Sequence, residues 1–265
     1  MKRVMLVVAY EGTNYCGWQV QNNGTTIESV LNEALSQLLG EKIAVIGASR
    51  TDSGVHSLGN VAVFDTEARM PADKISYALN QRLPGDIVVQ ASMEVRPDFH
   101  PRKCRSVKTY EYRILNRRFP VPTLRRDTYF YYYPLDVERM GQAAGYLVGV
   151  HDFKSFCSIH TQAADTVREI YSCQVKKQGD VITIRISGSG FLYNMVRIIA
   201  GTLIQVGSGE LAPEDMRRIL EKRDRGAAGP TAPAHGLTMM GIEFMESVCP
   251  RGVPVSGEQP EECSC

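Results

Sequence analysis

Residues 47–56, GASRTDSGVH, follow the apolar run IAVI and set Arg50, Asp52 and His56 among small side chains. An aspartate in such a place has two ordinary uses. Its side chain can cap nearby backbone N–H groups while the following Gly54 takes a positive φ, as Asp-Ser-Gly commonly does after a strand. Alternatively its carboxylate faces a substrate, as nucleophile or as base. The ten residues alone favour the turn, so the rest of the chain has to decide.

Two further segments carry groups that would suit a carboxylate at work. Residues 100–119, HPRKCRSVKTYEYRILNRRF, hold Arg102, Lys103, Arg105, Lys108, Arg113, Arg117 and Arg118 against a single Glu111, with Tyr110, Tyr112 and Phe119 interleaved. On a chain of net charge +1 this patch is where a polyanion would be met. Cations release the counterions of each phosphate they neutralise, and aromatic faces receive unpaired bases. The same charges would also serve to keep a strand edge solvated. Farther on, FLYNMVRIIAGTLIQV, residues 191–206, is apolar almost all round and reads as a buried helix, yet Arg197 sits in its middle. A buried guanidinium needs a partner, since removing one member of a buried pair costs about 3 to 5 kcal/mol. Tyr193 and Asn194 before it, and Ala200 and Gly201 after it, form a polar and small stripe that can line a pocket. A purely structural ion pair satisfies the same arithmetic. The loop AAGPTAPAHGL, residues 227–237, has too much Pro and Gly for helix or strand and reads as a rigid connector.

Other chemistries are poorly served. No G-x-x-x-x-G-K, no G-x-G-x-x-G after a strand and no G-x-S-x-G occurs, and SGSG at residues 187–190 reads as a turn. The five histidines lack metal-ligand spacing, and no second carboxylate or histidine is placed to activate water beside Asp52. Seven cysteines include no C-x-x-C and are odd in number, so reduced thiols are expected, and the C-x-C of Cys263 and Cys265 reads as an incidental tail. No metal is expected. The start, MKRVMLVVAY, runs into Glu11 and Gly12 without a cleavage site and reads as a first strand, and IIAGTLIQV is too short to span a bilayer. A cytoplasmic protein is the expectation.

The elements that must position these groups alternate. Thr25 to Gly40 reads as a helix, with Thr25 and Glu28 at capping-box spacing, one apolar face and a glycine stop. IAVIGAS, NVAVF and IVVQASMEV read as strands, with a helix opened by Pro71 between the last two. A second series follows: a strand at TYEYRIL, a helix from Asp136 to Val148, strands at REIYSCQV and VITIRIS, and the helix from Phe191 to Val206. A charged helix EDMRRILEKR and a last strand LTMMGIEF close it. The fold class is therefore α+β, two related α/β halves sharing a sheet, with no residue-level repeat between them. The tail after Glu246 reads as unstructured.

In order along the chain, YEGTNYCGWQVQ, ASRTDSGVHSLGNV, LNQRLP, FHPRKCRSVKTYEYRI, SGSGFLYNMVR and PTAPAHGL resemble the TruA family of tRNA pseudouridine synthases, over residues 1–245. The departures are small: Tyr15 precedes Cys16-Gly17-Trp18 where the family usually has phenylalanine, and Ser53 stands where it often has alanine. The resemblance implies ferredoxin-like or RRM-like halves sharing a mostly antiparallel sheet around a central RNA-binding cleft. Residues 1–105 would form the first half, 106–246 the second and 247–265 a flexible tail. It implies an isomerase that converts uridine to pseudouridine at positions 38, 39 and 40 of the tRNA anticodon stem-loop, with no cofactor and no metal, acting as a homodimer. By the same resemblance Asp52 is the nucleophile, Tyr110 lies against the target base, and Arg197 pairs with Asp52. An ionised Asp52 would attack C1′ or remove the C2′ proton, its charge favoured by the guanidinium. Tyr110 would stack on the uracil and, as a phenol, help remove the C5 proton. The base must be flipped out, and Arg50 is the candidate to fill its place. His56 either contacts RNA or braces its loop. Tyr110, Arg50, His56, Arg102, Lys103, Arg105 and Leu237 are the residues expected to bind the substrate. The rival expectation is an RNA-binding module of the same fold without turnover.

Overall fold

The computed structural model describes residues 1–158, 161, 163–246 and 248. Its first half runs β1 (Lys2–Tyr10), α1 (Ile27–Leu39), β2 (Ile46–Gly47), β3 (His56–Thr66), α2 (Ala72–Asn80) and β4 (Ile87–Val95). The strands lie in the order β4-β1-β3-β2, all antiparallel. The second half contains β5 (Ser106–Asn116), β6 (Tyr129–Tyr131), α3 (Val137–Gly145), β7 (Gly149–Asp152), β8 (Val167–Gln178), β9 (Val181–Gly188), α4 (Met195–Ser208), α5 (Asp215–Lys222) and β10 (Leu237–Phe244). With β6, β7 and α5 set aside it repeats the same βαββαβ series in the same spatial order, β10-β5-β9-β8. The repeat is one of topology, which is why no residue-level repeat marks it.

The chain's last strand joins the halves. β10 runs antiparallel to β5 and parallel to the start of β3, pairing Thr238 with His56 and Met239 with Ser57. Farther along, β3 pairs instead with the two-residue β2, through Ile46 with Val63 and Gly47 with Ala62. Between β2 and the start of β3 the chain leaves the sheet for eight residues, and Asp52 lies in that excursion.

Alternation along the strands sets the core. Val4, Leu6 and Val8 of β1 and Ala62 and Phe64 of β3 bury one face under Ile27, Leu31 and Leu35 of α1 and Ile75 and Leu79 of α2. Met5, Val61 and Val63, of opposite parity, pack with Val95, Phe99 and Ala48 on the other face, and Phe99 meets Phe244 of β10 edge-on at 5.1 Å. In the second half, Tyr112, Ile114, Ile182, Ile184 and Ile186 lie under α3, α4 and α5. Ile242 of β10 packs against both this cluster and that around Phe99, so apolar contact is continuous across the junction.

Several expected elements shift. The capping box of α1 is Thr26 with Ser29, whose hydroxyl and backbone groups bond reciprocally, while Glu28 accepts from the N–H of Val20; Gly40 ends the helix at φ +69° as expected. The IAVIGAS strand shrinks to Ile46–Gly47, because the N–H groups of Ile43 and Val45 are taken by Ser36 and Asn32 of α1 and are not free for a ladder. The helix expected from Phe191 begins at Met195, since Asn194 sits in the left-handed region at φ +62°. Arg197 consequently lies in the first turn of α4 rather than in its middle. The expected tail lies outside the described residues, save Val248.

Candidate active site

The turn expected around Asp52 is present, but the Asp52 side chain is not its cap. The N–H of Val55 donates to the Asp52 carbonyl at 3.1 Å, with Gly54 at φ +79°. Residues 12–18 hold this turn from outside. The Ser53 hydroxyl and the Gly54 N–H both donate to the Tyr15 carbonyl, at 3.1 and 3.4 Å, and the Trp18 N–H donates to Thr51 at 3.1 Å. Buried Tyr10 shares a hydrogen bond of 2.8 Å with the Thr51 hydroxyl. With the backbone fixed this way the Asp52 carboxylate is left to reach Arg197.

Arg197 Nη1 donates to Asp52 Oδ2 at 3.3 Å across 145 residues of sequence. Both side chains are largely buried, at 17% and 18% exposure, so the pair is poorly screened. The same Nη1 donates to Asn194 Oδ1 at 2.9 Å, and Nε donates to the Ala232 carbonyl at 2.8 Å. Thus the left-handed Asn194 and the Pro-rich loop, read from sequence as a connector, both orient the guanidinium. Burial holds the Asp52 carboxyl above its ordinary range, and Arg197 offsets part of that rise. Pairing with Arg197 favours the charged form, as expected from sequence, but desolvation acts in the opposite direction and is the larger effect.

Tyr110 is buried on β5, its ring edge-on to Phe191 at 5.1 Å and its hydroxyl 3.0 Å from Ser49 Oγ. Burial and the nearby Asp52 charge push its phenol up to about 12, so it is protonated at neutral pH and offers a ring and a hydroxyl rather than a phenolate. The segment from Arg102 to Tyr110 laces onto the chain just before Asp52. Arg102 Nε donates to the Gly47 carbonyl at 2.7 Å, Lys108 Nζ to the Ala48 carbonyl at 3.1 Å, and Tyr110 meets Ser49.

These groups border one cleft of about 1060 Å³. Arg50, Asp52, Arg102, Tyr110, Arg197 and Leu237 all line it. Arg50 and Asp52 face it together although the segment between them is not a strand. Lys103 and Arg105 are exposed and do not line it: Arg102, Cys104, Ser106, Lys108 and Tyr110 do, so the cleft takes alternate residues and the basic patch divides between two sides. His56 is buried away from the cleft lining. Its Nδ1 accepts from the Gly12 N–H at 3.0 Å, and Nε2 lies 2.7 and 3.1 Å from the carbonyls of Arg126 and His235, which makes it a brace for three segments rather than a group facing solvent. Asn194 belongs to the stripe expected to line a pocket, whereas Lys108 was read only as part of the basic patch, and Arg168 and the Ala232 carbonyl carry no sequence signal for the site. Lys108 was recoverable from its parity with Tyr110; Arg168, on β8, was not, because only the strand order brings it to the cleft.

A protein-family model described as tRNA pseudouridine synthase matches residues 6–102 and 143–245. The chain belongs to the tRNA pseudouridine synthase family. Asp52 and Arg197 fall within the matched segments and Tyr110 between them. Relatives named tRNA pseudouridine synthase A include one from Thermoanaerobacter sp. (strain X514), 47% identical over 92% of this chain and 100% of its own length. One from Acetivibrio thermocellus is 46% identical over the same shares. Among solved structures, a Cbf5-Nop10-Gar1 complex covers 89% of this chain and 56% of that one at 11% identity and a TM-score of 0.30, too distant to inform the fold. Membership in the synthase family gives the cleft a reaction to be tested against: a carboxylate held by a guanidinium, beside an aromatic ring, among cations.

Proposed function

We propose that this isomerase converts uridine to pseudouridine at positions 38, 39 and 40 of the anticodon stem-loop of tRNA, with Asp52 as its nucleophile. The reaction breaks the N1–C1′ bond and forms a C5–C1′ bond, and the hydrogen lost from C5 is balanced by one gained at N1. The ionised Asp52 carboxylate attacks C1′ or removes the C2′ proton, and Arg197 stabilises its charge in a site where water screens little. Tyr110 supports the detached uracil through its ring while the base turns. Arg50, exposed at the cleft beside Asp52, occupies the stack vacated by the flipped base. Arg102 and the cations around it meet the RNA backbone, and Leu237 gives the base an apolar edge. The protein acts in the cytoplasm as a homodimer whose two subunits share each tRNA. Among the described residues no helix is long and apolar enough to cross a membrane.

One observation carries this reading: the Asp52–Arg197 pair at 3.3 Å, joining the two halves inside a cleft that otherwise gathers cations and an aromatic ring. Asp52→Asn tests it. Pseudouridine formation in anticodon stem-loop transcripts is expected to disappear while RNA binding persists. Turnover by the variant overturns the role of Asp52, and binding without turnover by the unaltered protein leaves an RNA-binding module.

A further inference from the structure

Among the described residues the cleft holds more positive charge than its one carboxylate accounts for. Arg50, Arg102, Lys108, Arg168 and Arg197 line it together with Asp52, and Asp52 is engaged by Arg197. Lys108 is the most confined of the remainder. It stands two residues before Tyr110 on β5 and so shares its face. Its Nζ donates once, to the Ala48 carbonyl at 3.1 Å, which leaves two of its three N–H donors. None of the ion pairs among the described residues includes it. Burial above all, and then the neighbouring cations Arg102 and Arg168, push its ammonium down to about 8. At neutral pH the lysine is therefore still mostly charged, in a place where charge costs free energy and no acid among the described residues repays it.

The anchoring of these cations is specific. Arg102 hangs from the Gly47 carbonyl and Lys108 from the next one, Ala48, so two adjacent peptide groups fix two cations side by side, with Arg168 approaching from β8. We propose that Lys108, flanked by Arg102 and Arg168, forms a subsite for one phosphodiester of the RNA backbone, next to the nucleotide held at Asp52. The subsite rests on the cleft being the RNA site. A phosphate there supplies the missing negative charge and accepts the unused donors, and it fixes the ribose with respect to the carboxylate. Lys108 is on this account a positioning residue rather than a catalytic one.

The test is a chemical double-mutant cycle. Wild-type protein and Lys108→Met are titrated with an anticodon stem-loop that already carries pseudouridine, so that no turnover intervenes, and with versions bearing one neutral methylphosphonate linkage at each position around the target. At one linkage beside the target the neutral group is expected to weaken wild-type binding about tenfold and to leave Lys108→Met unchanged. Lys108→Met itself binds the pseudouridine-bearing RNA with all its phosphates about tenfold more weakly, Lys108→Arg recovers most of the loss, and the melting temperature of Lys108→Met at pH 7 does not fall. The proposal is overturned if every linkage penalises both proteins equally, or if Lys108→Met binds like wild type. Should Lys108→Met not fold, Lys108→Gln takes its place in the cycle. Failure of the cleft as the RNA site would read differently, as an affinity that Arg50→Met and Arg197→Met leave unchanged along with Lys108→Met.

Discussion

Ala232 grips Arg197 through both of its own backbone groups: its N–H donates to the Arg197 carbonyl at 3.1 Å, and its carbonyl accepts from Arg197 Nε at 2.8 Å. Main chain thus fixes Nε of the guanidinium, while the Asn194 side chain holds Nη1, and substitutions of the Ala232 side chain leave the main-chain grip in place. Ala232→Gly should retain turnover within a few-fold. Ala232→Pro removes the N–H, costs about 1 kcal/mol for the lost bond, and should lower turnover at least tenfold with RNA affinity little changed. Single-turnover rates beside binding titrations check this, and equal rates for the two variants would show that the grip does not matter.

Because burial raises the Asp52 carboxyl above its usual range, turnover should fall as pH drops through that raised value. Arg197 works against the rise, so Arg197→Met should move the acidic limb of the rate profile to higher pH and lower the rate at neutrality. The linkage to stability has the corresponding sign. A carboxyl raised in the folded state contributes stability that is full below its unfolded value and lost as pH rises through the folded one. A limb that stays in place in Arg197→Met would belong to another group.

Gly201 lets the loop approach α4, since a Cβ there would lie 1.9 Å from the Pro230 carbonyl oxygen. Gly201→Ala must push away the segment that ends in Ala232, and should cost about 1–3 kcal/mol in stability as well as turnover. Gly141, inside α3 with nothing within 4 Å of its Cβ position, is the control. Gly141→Ala should stabilise the protein by up to ~1 kcal/mol. Thermal unfolding of both variants distinguishes close approach from helix propensity.

Lys108 should reveal its cost in a stability profile. Its folded value of about 8 lies below the ordinary lysine value of 10.5, so the unfolded chain binds more protons between them and wild-type stability gains from rising pH in that window. Lys108→Met should therefore be more stable than wild type at pH 7, by ~2 kcal/mol after the lost bond to Ala48 is allowed for. The gap should narrow from pH 8 upward. Chemical denaturation at pH 7 and pH 10 measures it, and a destabilised variant at pH 7 would make the lysine a structural latch.

Sequence reading succeeded where physics is local. The apolar faces of α1 and α2, the alternation of β9 and the glycine stop at Gly40 depend on neighbours within a few residues, and they appear where periodicity placed them. It failed where another segment competes for a backbone group. Ile43 and Val45 read as strand, but Ser36 and Asn32 of α1 had already claimed their N–H groups. A count of charges also found the basic patch without phasing it, so Lys103 and Arg105 were grouped with Arg102 while Lys108 passed unnoticed as a cleft residue.

The sequence by itself determined that this chain is α+β in two halves, that a carboxylate sits in a turn after a short strand, and that its motifs run in the order of one enzyme family. Only the tertiary structure decided what the carboxylate meets. Asp52 and Arg197 are 145 residues apart, and their contact depends on β10 crossing between the halves and on Ala232 turning the guanidinium. The reason is physical: short-range patterns encode which face a residue presents, whereas a buried charge takes its partner and its protonation from whatever the sheet order brings beside it.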